Sequence, residues 1–551
     1  MPERHEQFGR VDGPAPRRTI HTGAGAATAF PMATDAALEM LRAGGNAVDA
    51  AVAAAWALCV CEPSASGLGG QTILLLHRAD GRTLVVDGHA AAPAAASVRT
   101  ISKRQQRIGH RSCTVPTTPA TLDYAQRTYG VLSRGRVMAP AIHIAEDGYR
   151  LTALQHRQTR WVAADLRRSD AGALFLRDGQ PPAVGTLCRQ PQLAAVLCRL
   201  ADQGIDDFYR GDIARSIADD MRHHDGLITA QDLAAVTAPI VTEPLSIDCR
   251  GYRLLSVPPP GGGLELLLAY RMLEQLLPEG AGVSDEDWRE LVVLIVYTIF
   301  NEREHHPIAP DSLTPAQRKW LVSSSRARYL LSDTIDFVRH QPAAAPSAAS
   351  EEPGDTTHLT VSDHAGNVVL LTQSIQSVFG AKVVHPRLGF VYNNYLCTCP
   401  RHPHPYQLGG HCRPRSNAAP LLVLGGGAGA ERPILALGAA GSRRIISSVL
   451  QVTSGVLHRQ LDIAAAITAP RLHALLSRTL WIERPAASPS LLSRLRTSFP
   501  KIVVKARLDY SMGAVQGLQF GPDGTVWGAA DPRRDGTVTR LDDETPLAEV
   551  P

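Results

Sequence analysis

The chain has 551 residues, of which 44% are hydrophobic and 20% are charged, and this balance is ordinary for a soluble globular protein. A formal net charge of +4 is close to neutral over this length and gives no reason to expect nucleic acid as a partner. Nine scattered cysteines, an odd number, argue against a disulfide framework. No signal-like segment is evident, and no run approaches the ~20 apolar residues of a membrane helix. We therefore expect a cytoplasmic location and no membrane partner.

The first part of the sequence predicts two helices followed by strands. Residues 1–20 are polar and are expected to form a disordered lead-in. Apolar residues recur at helical spacing over 32–42, and Gly44-Gly45 ends that helix. Asn46 is placed to cap a second helix, AVDAAVAAAWALCV, which is apolar on nearly every side and therefore buried. Two strand-like runs follow, TILLLHR and TLVVDGH.

The middle of the chain has mainly helix and loop patterns, and the last part has mainly strand patterns. Between about 115 and 330, Thr229 is placed to cap one of the helices. Residues 341–355 form a low-complexity tether rich in Pro, Ala and Ser. Strands then alternate with turn signals at 364–367 and 521–524. Strands mixed with long helices in both halves favour a layered α/β or α+β fold.

The most informative segment is a predicted hairpin directly after the tether. The sequences THLTVSD and VVLLTQSI alternate as two antiparallel strands around a glycine-containing turn. If Asp363 lies opposite Val368, Thr357 falls opposite Ser374. Thr372, two residues before Ser374, then shares a face with it, because side chains alternate along a strand.

A threonine that begins a strand after a flexible tether suggests a nucleophile exposed by cleavage of its own chain. The predicted hairpin places the hydroxyl of Thr372, of Ser374, or of both near Thr356. A threonine hydroxyl needs a base, and a free N-terminal amine on the same residue, with an ordinary pKa near ~7.7–8, supplies one. Attack of Thr356 on the Asp355 carbonyl would shift the acyl group from nitrogen to oxygen and let water release the tether. Threonine is also a common strand former, so the hairpin alone leaves a structural role open.

Several motifs in the same order extend the argument over most of the chain. They are AGGNAVDAAVAAAWALCVCEPSASGLGG (43–70), FYRGDIARSIADDM (208–221), GLITAQDLAAV (226–236), GYRLLSVPPPGGG (251–263), TTHLTVSDHAGNVV (356–369), GFVYNN (389–394), GAAGSRRIISSVLQV (438–452) and GPDGTVWGAADPR (521–533). With these motifs the chain resembles the γ-glutamyltranspeptidase family of N-terminal-nucleophile hydrolases, over roughly residues 20–535.

This resemblance implies an α+β fold, a four-layer αββα sandwich, and a precursor that cleaves itself between Asp355 and Thr356. The large-subunit portion would be 21–355 and the small-subunit portion 356–551. The two pieces are expected to stay together as a heterodimer, and further dimerisation is left open. No cofactor is expected.

The resemblance also assigns roles to individual residues. Thr356 corresponds to the nucleophile, and Thr372 and Ser374 to the hydroxyls that support it. Gly441 and Ser442 correspond to the pair whose backbone N–H groups form the oxyanion hole, and a serine in place of the family's second glycine keeps that N–H. The positions assigned to substrate contact, apart from His89, are Asn394, Thr398, Ser416 and Asn417.

The substrate pocket departs from the family pattern. Members that bind a γ-glutamyl group use an arginine for its α-carboxylate in the context D-x-R-E-x-A-P, and here His89 stands at the arginine's position. The stretch 395–400 lacks the carboxylate that usually holds the α-ammonium. Imidazole does not reproduce the bidentate geometry of a guanidinium, and each lost charge-assisted hydrogen bond weakens binding by about 1.5–3 kcal/mol. Ordinary glutathione is therefore not the expected substrate.

Three functions stay open. The first is an amidohydrolase or acyltransferase for a different small acyl amide, which passes the acyl group from Thr356 to water or an amine. The second is a γ-glutamyl enzyme that binds its substrate through other residues, and the third is a non-catalytic relative that keeps the fold. We favour the first. For the second function, the candidate substrate-binding residues are Arg413, Arg415, Arg443 and Arg444.

The segment CTCPRHPHPYQLGGHC (397–412) raises the question of a metal site. Its cysteines, with His402, His404 and His411, are of the types that bind zinc. The spacing fits no standard zinc module, however, and the segment is similar to the family's loop over the active site. We expect a proline-stiffened lid and no metal, with Cys397 or Cys399 lining the pocket.

Overall fold

The computed structural model describes residues 19–277, 283–309, 313–340, 354–426 and 431–540. Most of the predicted lead-in and all but the last two residues of the 341–355 tether lie outside these ranges. The first described strand is Thr19–Thr22, so regular structure includes the last two residues of the predicted lead-in.

The first of two large antiparallel sheets has seven strands. From edge to edge they are Thr537–Arg540, Gly25–Thr28, Gly354–Ser362, Val368–Ser377, Gln71–His77, Thr83–Gly88 and Ile240–Thr242. Strands from before and after Asp355 are hydrogen-bonded to one another, as where Val368–Ser377 pairs with Gln71–His77. The ladder therefore joins the two predicted pieces of the chain.

The second sheet also has seven antiparallel strands. They are Thr19–Thr22, Thr525–Ala530, Ala514–Phe520, Arg432–Ala440, Leu421–Gly425, Tyr252–Ser256 and Leu245–Cys249. Three short strands of the two sheets lie within 240–256, in a stretch expected to be helix and loop. That expectation is wrong there, because strands of three to five residues are too short to give a clear alternating pattern.

Apolar side chains fill the space between the two sheets. Ile73 and Leu75 of the first sheet pack with Leu422 and Ala436 of the second. Leu74 lies between Ile73 and Leu75 in sequence and faces the opposite side, where it joins the helical core.

Helices cover the outer face of each sheet. Those packed on the first sheet or beside it are Pro31–Arg42, Ala47–Cys61, Thr118–Tyr129, Arg134–Asp147, Ala153–Leu166, Ala171–Phe175, Pro191–Gln203, Asp206–Arg210, Asp212–His223 and Ala230–Ala234. Those on the side of the second sheet are Gly263–Leu276, Asp285–His305, Pro315–Leu321, Ser324–His340, Arg444–Leu457, Ile463–Thr468 and Pro489–Arg496. The order helix, sheet, sheet, helix confirms the predicted four-layer αββα fold.

Smaller elements complete the described structure. Short 3₁₀ helices are His110–Ser112, Tyr395–Thr398, Arg484–Ala486 and Tyr510–Met512. A three-stranded sheet comprises Leu472–Ala474, Thr479–Glu483 and Lys501–Lys505, and a two-stranded one comprises Tyr149–Arg150 and Leu187–Cys188.

The predicted helix caps are confirmed. The Asn46 side chain accepts hydrogen bonds from the backbone N–H groups of Val48 (2.9 Å) and Asp49 (3.1 Å), and the Asp49 carboxylate accepts one from Asn46 N–H (3.0 Å). This capping box starts helix Ala47–Cys61, all of whose residues are buried. Thr229 caps Ala230–Ala234 in the same way.

The predicted hairpin forms, but its register differs by one residue. Val368 lies opposite Ser362 and not, as predicted, opposite Asp363. Asp363 belongs to the turn, because its N–H donates to the Asn367 carbonyl (3.1 Å) and its carboxylate accepts from the N–H groups of Ala365 and Asn367 (both 3.0 Å). The acidic side chain thus stabilises a wider turn than the alternation indicated.

Candidate active site

Thr356 lies at a bulge in the first strand of the hairpin. Thr357 pairs with Gln373, and the ladder shifts register between Thr357 and Asp355, which leaves Thr356 outside the regular pairing. The prediction that Thr357 lies opposite Ser374 is therefore wrong. The bulge nevertheless directs the Thr356 side chain toward Ser374, because a bulge changes the direction in which a strand residue points.

Three oxygen atoms meet at the junction between Asp355 and Thr356, through which the chain is continuous. The Thr356 hydroxyl donates to the Asp355 carbonyl oxygen (2.7 Å), and the Ser374 hydroxyl donates to the same oxygen (2.9 Å). The two hydroxyl oxygens are 3.1 Å apart. The Ser374 hydroxyl also accepts from the N–H of Gln376 (2.9 Å), which orients it.

The hydroxyl of Thr372 has a different partner. It lies 2.8 Å from Nδ1 of His358, whose Nε2 is 3.1 Å from the Thr360 hydroxyl. Burial lowers the pKa of His358 to about 3, so the ring is neutral. His358 was not among the predicted site residues, although it lies in the same strand two residues after Thr356. Thr372 therefore supports His358 directly, and Ser374 is the hydroxyl next to Thr356.

Gly441 and Ser442 form the turn between strand Arg432–Ala440 and helix Arg444–Leu457. Both have positive φ, +123° and +57°, and such a turn brings the backbone close to its neighbours. A Cβ atom on Gly354 would lie 2.6 Å from Cβ of Ser442, so the turn abuts the peptide that precedes Asp355. The start of a helix also favours negative charge. The location suits an oxyanion hole, and that role stays a prediction.

Asp355 is buried in a polar network that sequence reasoning did not find. Its carboxylate pairs with Arg534 and accepts a hydrogen bond from Nε2 of Gln158 (2.7 Å). Arg534 also donates to the Thr356 carbonyl (3.0 Å), so it holds both sides of the junction. Burial raises the pKa of Asp355, and Arg534 opposes that rise. The one available signal was that Arg534 directly follows the motif GPDGTVWGAADPR.

A cleft of about 330 Å³ opens in front of Thr356. The predicted site residues that line it are Thr356, Thr372, Ser374, His89, Ser416, Asn417 and Ser442. The other lining residues are Gln71, Thr72, Ile73, Gln376, Tyr395, Ala418 and Ile445. None of these described lining residues is acidic. Burial raises the pKa of Tyr395 to about 12, so its phenol stays protonated beside Ser374.

Two residues assigned to substrate contact lie outside this lining. The Asn394 amide donates to the Arg107 carbonyl (2.8 Å) and accepts from the N–H of Ser377 (3.1 Å). The Thr398 hydroxyl donates to the Tyr395 carbonyl (3.0 Å). Both side chains fix the backbone beside the cleft, and their contact with substrate stays a prediction.

A half-buried arginine orders the far wall of the cleft. Arg303 donates to the side-chain oxygen of Asn417 (2.5 Å) and to the carbonyl of Ser416 (2.7 Å). Its Nε lies 3.0 Å from a carboxylate oxygen of Glu265. These contacts fix the Ser416 backbone and the Asn417 side chain. No sequence motif indicated Arg303.

His89 is held by a hydrogen bond to Asp87, a carboxylate that Arg413 also contacts. Its Nδ1 lies 2.6 Å from one carboxylate oxygen of Asp87, and Arg413 lies 2.6 Å from the other. Burial alone would raise the pKa of Asp87, but His89 and Arg413 hold it well below its usual range. Among the described residues, Nε2 of His89 is buried without a hydrogen-bond partner. Of the arginines proposed as alternative substrate contacts, Arg413 is thus the one that reaches this part of the site.

The 397–412 segment forms a closed loop. The Leu408 N–H donates to the Pro400 carbonyl (2.9 Å), and the Ala92 N–H donates to the Cys412 carbonyl (2.8 Å). Neither Cys397 nor Cys399 lines the cleft, contrary to expectation, because Cys399 packs into a small apolar cluster with Ala92. Within the described residues, one group of His, Cys, Asp or Glu side chains has ligand atoms close enough together to share a metal ion. That group lies outside the 397–412 loop. It comprises His110, Asp220 and His224.

Comparison with known proteins decides the family. The family model described as gamma-glutamyltranspeptidase matches residues 33–541. The chain belongs to the γ-glutamyltranspeptidase family. It is 31% identical to the glutathione hydrolase proenzyme of Escherichia coli K12 over 527 residues, which cover 91% of this chain and 89% of the relative.

Proteins named for a different activity are about as similar. The acylase ACY 1 proenzyme of Pseudomonas sp. strain SE83 is 30% identical over 538 residues, covering 93% of each chain. The crystal structure of cephalosporin acylase from Bacillus halodurans superimposes with a TM-score of 0.84 at 26% identity, covering 97% of this chain and 99% of that one. This γ-glutamyltranspeptidase family member is therefore an N-terminal-nucleophile hydrolase. No helix within the described ranges is long and apolar enough to cross a membrane.

Proposed function

We propose that the chain is the precursor of an N-terminal-threonine amidohydrolase or acyltransferase, cleaved between Asp355 and Thr356. Its substrate would be a small acyl amide other than ordinary glutathione. The observation that carries the proposal is the contact of the Thr356 and Ser374 hydroxyls with the Asp355 carbonyl oxygen, at 2.7 and 2.9 Å.

Self-cleavage follows from this contact. The Thr356 oxygen attacks the Asp355 carbonyl carbon, the carbon–nitrogen bond breaks, and the hydroxyl proton ends on the nitrogen, which becomes the free α-amine. Water then hydrolyses the resulting ester and leaves a carboxylate on Asp355 and a hydroxyl on Thr356. The Ser374 hydroxyl would stabilise the negative charge that develops on the carbonyl oxygen.

The cleaved enzyme would reuse the same hydroxyl. The Thr356 α-amine would take the hydroxyl proton as the oxygen attacks the substrate amide, and would then pass a proton to the departing amine. The N–H groups of Gly441 and Ser442 would stabilise the tetrahedral oxyanion. Water or an amine would finally remove the acyl group from Thr356.

The lining of the cleft supports a substrate without a free α-amino acid group. An α-ammonium needs a negatively charged partner, and none of the described lining residues is acidic. An α-carboxylate is best held by a guanidinium, but Arg413 is already paired with Asp87, and His89 occupies the cleft wall. The second candidate, a γ-glutamyl enzyme, would therefore have to redirect Arg413.

The two pieces would stay associated after cleavage. Their strands are hydrogen-bonded to each other in both sheets, as where Leu421–Gly425 pairs with Tyr252–Ser256. The active form would then be a heterodimer of its own two fragments.

Denaturing electrophoresis tests the proposal. The wild-type protein should give fragments of about 38 and about 21 kDa, in proportion to their shares of the 59.1 kDa chain. Thr356→Ala should give one full-length band, because it lacks the attacking hydroxyl. Intact-mass measurement should place the new N-terminus at Thr356. A single stable wild-type band would contradict the proposal.

A further inference from the structure

A second cavity lies on the other side of His89. It is open to solvent, its space including that solvent is about 780 Å³, and small apolar side chains form much of its wall. Among them are Ala91, Ala92, Ala120 and Val236. This cavity is larger than the cleft that contains Thr356.

His89 lines both cavities. Its side chain is only 1% exposed, and the bond from Nδ1 to Asp87 fixes the plane of the ring. Asp87 and Arg413 line the second cavity but not the cleft, so the ring is anchored from the side away from Thr356. An imidazole with a charge-assisted bond on one edge is held more firmly than a free side chain, because rotation would leave the buried Asp87 oxygen without that partner.

We propose that His89 is the partition that ends the acyl-binding cleft and sets the length of acyl group that the enzyme accepts. The second cavity is the space that a longer apolar acyl chain enters when the partition is removed. This inference rests on the proposed function, because it takes Thr356 as the acylated residue.

Linear acyl 4-nitroanilides from butanoyl to dodecanoyl test the partition. In the wild type, kcat/KM should fall once the chain reaches His89. In His89→Ala the optimum should move to longer chains, with a gain of about fourfold for each methylene newly buried. His89→Phe is the matched control for bulk: it keeps a ring at this position but loses the bond to Asp87, so its optimum should stay at shorter chains than that of His89→Ala.

A second substitution checks that the gain comes from the second cavity. Ala91→Leu in the His89→Ala background fills that space and should move the optimum back toward short chains. An unchanged optimum in His89→Ala, or an equal shift in His89→Phe, would overturn the partition. Appearance of the two fragments on a gel reports that each variant folds. Failure of the wild type to cleave would contradict the proposed function instead, so the two failures are distinguishable.

A separate observation concerns the loop that leads into Arg413. The Sγ atoms of Cys399 and Cys412 lie 3.7 Å apart. The two cysteines lie near opposite ends of the 397–412 loop, so this contact brings the ends of the loop together. The hydrogen bond from the Cys399 thiol lowers the pKa of Cys412 to about 7, although burial opposes the shift. Cys412 is half-buried, whereas Cys399 is buried, so Cys412 is the thiol that solutes reach.

We infer that Cys399 and Cys412 form a reversible disulfide with a low-molecular-weight disulfide as oxidant. The Cys412 thiolate attacks the oxidant, forms a mixed disulfide and releases one small thiolate. The Cys399 sulfur, losing its proton, then attacks Cys412 sulfur and releases the second small thiol. The protein gains one sulfur–sulfur bond while the oxidant is reduced to two thiols. Because Arg413 follows Cys412, the bond would also restrain the residue that anchors Asp87 and His89.

Thiol counting by alkylation and mass spectrometry tests the pair. After treatment with oxidised glutathione, the wild type should lose two alkylatable thiols and yield a cross-linked peptide containing Cys399 and Cys412, reversed by dithiothreitol. Cys412→Ser should abolish the cross-link, and Cys397→Ser, a matched change in the same loop, should retain it. Full alkylation of both cysteines after oxidation, or loss of the cross-link in Cys397→Ser, would overturn the inference.

Discussion

The hydroxyl oxygens of Thr356 and Ser374 lie 3.1 Å apart across the hairpin, and both contact the Asp355 carbonyl oxygen. In the proposed self-cleavage Thr356 is the nucleophile, which would leave Ser374 to stabilise the developing oxyanion. Removal of one such donor typically slows a reaction by about 10²–10³-fold. Ser374→Ala should therefore slow the appearance of the two fragments by about 10²-fold, measured by a gel time course.

Thr372 provides the contrast for this prediction. Its hydroxyl bonds to His358 and not to Thr356, so Thr372→Val should slow fragment formation much less than Ser374→Ala does. Circular dichroism should show that both variants fold. Equal slowing by the two substitutions would show that the hydroxyl beside Thr356 has no special role.

The buried pair of Asp355 and Arg534 predicts a coupled effect on stability. In the uncleavable Thr356→Ala background, Arg534→Met should lower the free energy of unfolding by about 3–5 kcal/mol, because it leaves a buried carboxylate unpaired. Adding Asp355→Asn should restore most of that loss. Denaturant unfolding of the two single changes and the double change measures the coupling, and additive losses would contradict it.

The neutral lining of the cleft predicts which of two matched substrates is preferred. A γ-glutamyl 4-nitroanilide and its counterpart without the α-ammonium differ in that group alone. An unpaired ammonium in a partly buried site costs several kcal/mol, so kcat/KM should favour the counterpart by at least about 10². A preference for the γ-glutamyl compound would favour the alternative in which Arg413 or other arginines bind the glutamyl group.

Local signals made part of this structure predictable. Asn46 and Thr229 satisfy the free N–H groups at the helix starts beside them, so their positions in the sequence were enough. Alternation identified the hairpin, and ordered motifs indicated the four layers. The register was missed because the Asp363 side chain, not the strand pattern, determines the turn.

The partners of the junction were beyond sequence reasoning for a different reason. Arg534 and Gln158 reach Asp355 from positions 179 and 197 residues away, and a buried charge or amide leaves no periodic pattern. Arg303 is likewise 114 residues from Asn417. Such contacts depend on how the layers stack, which the residue order alone does not give.

Glu62 predicts an unusual pH dependence for the uncleaved protein. Burial, and after it the Asp355 carboxylate, raises the pKa of Glu62 from 4.5 to about 8. The folded state then holds a proton that the unfolded state has released, so this residue makes stability fall as pH rises between those two values, by up to about 5 kcal/mol. In the Thr356→Ala background, Glu62→Gln should raise the melting temperature at pH 8 and change it little at pH 5. If the difference in melting temperature between the two proteins is the same at both pH values, Glu62 does not titrate in this range.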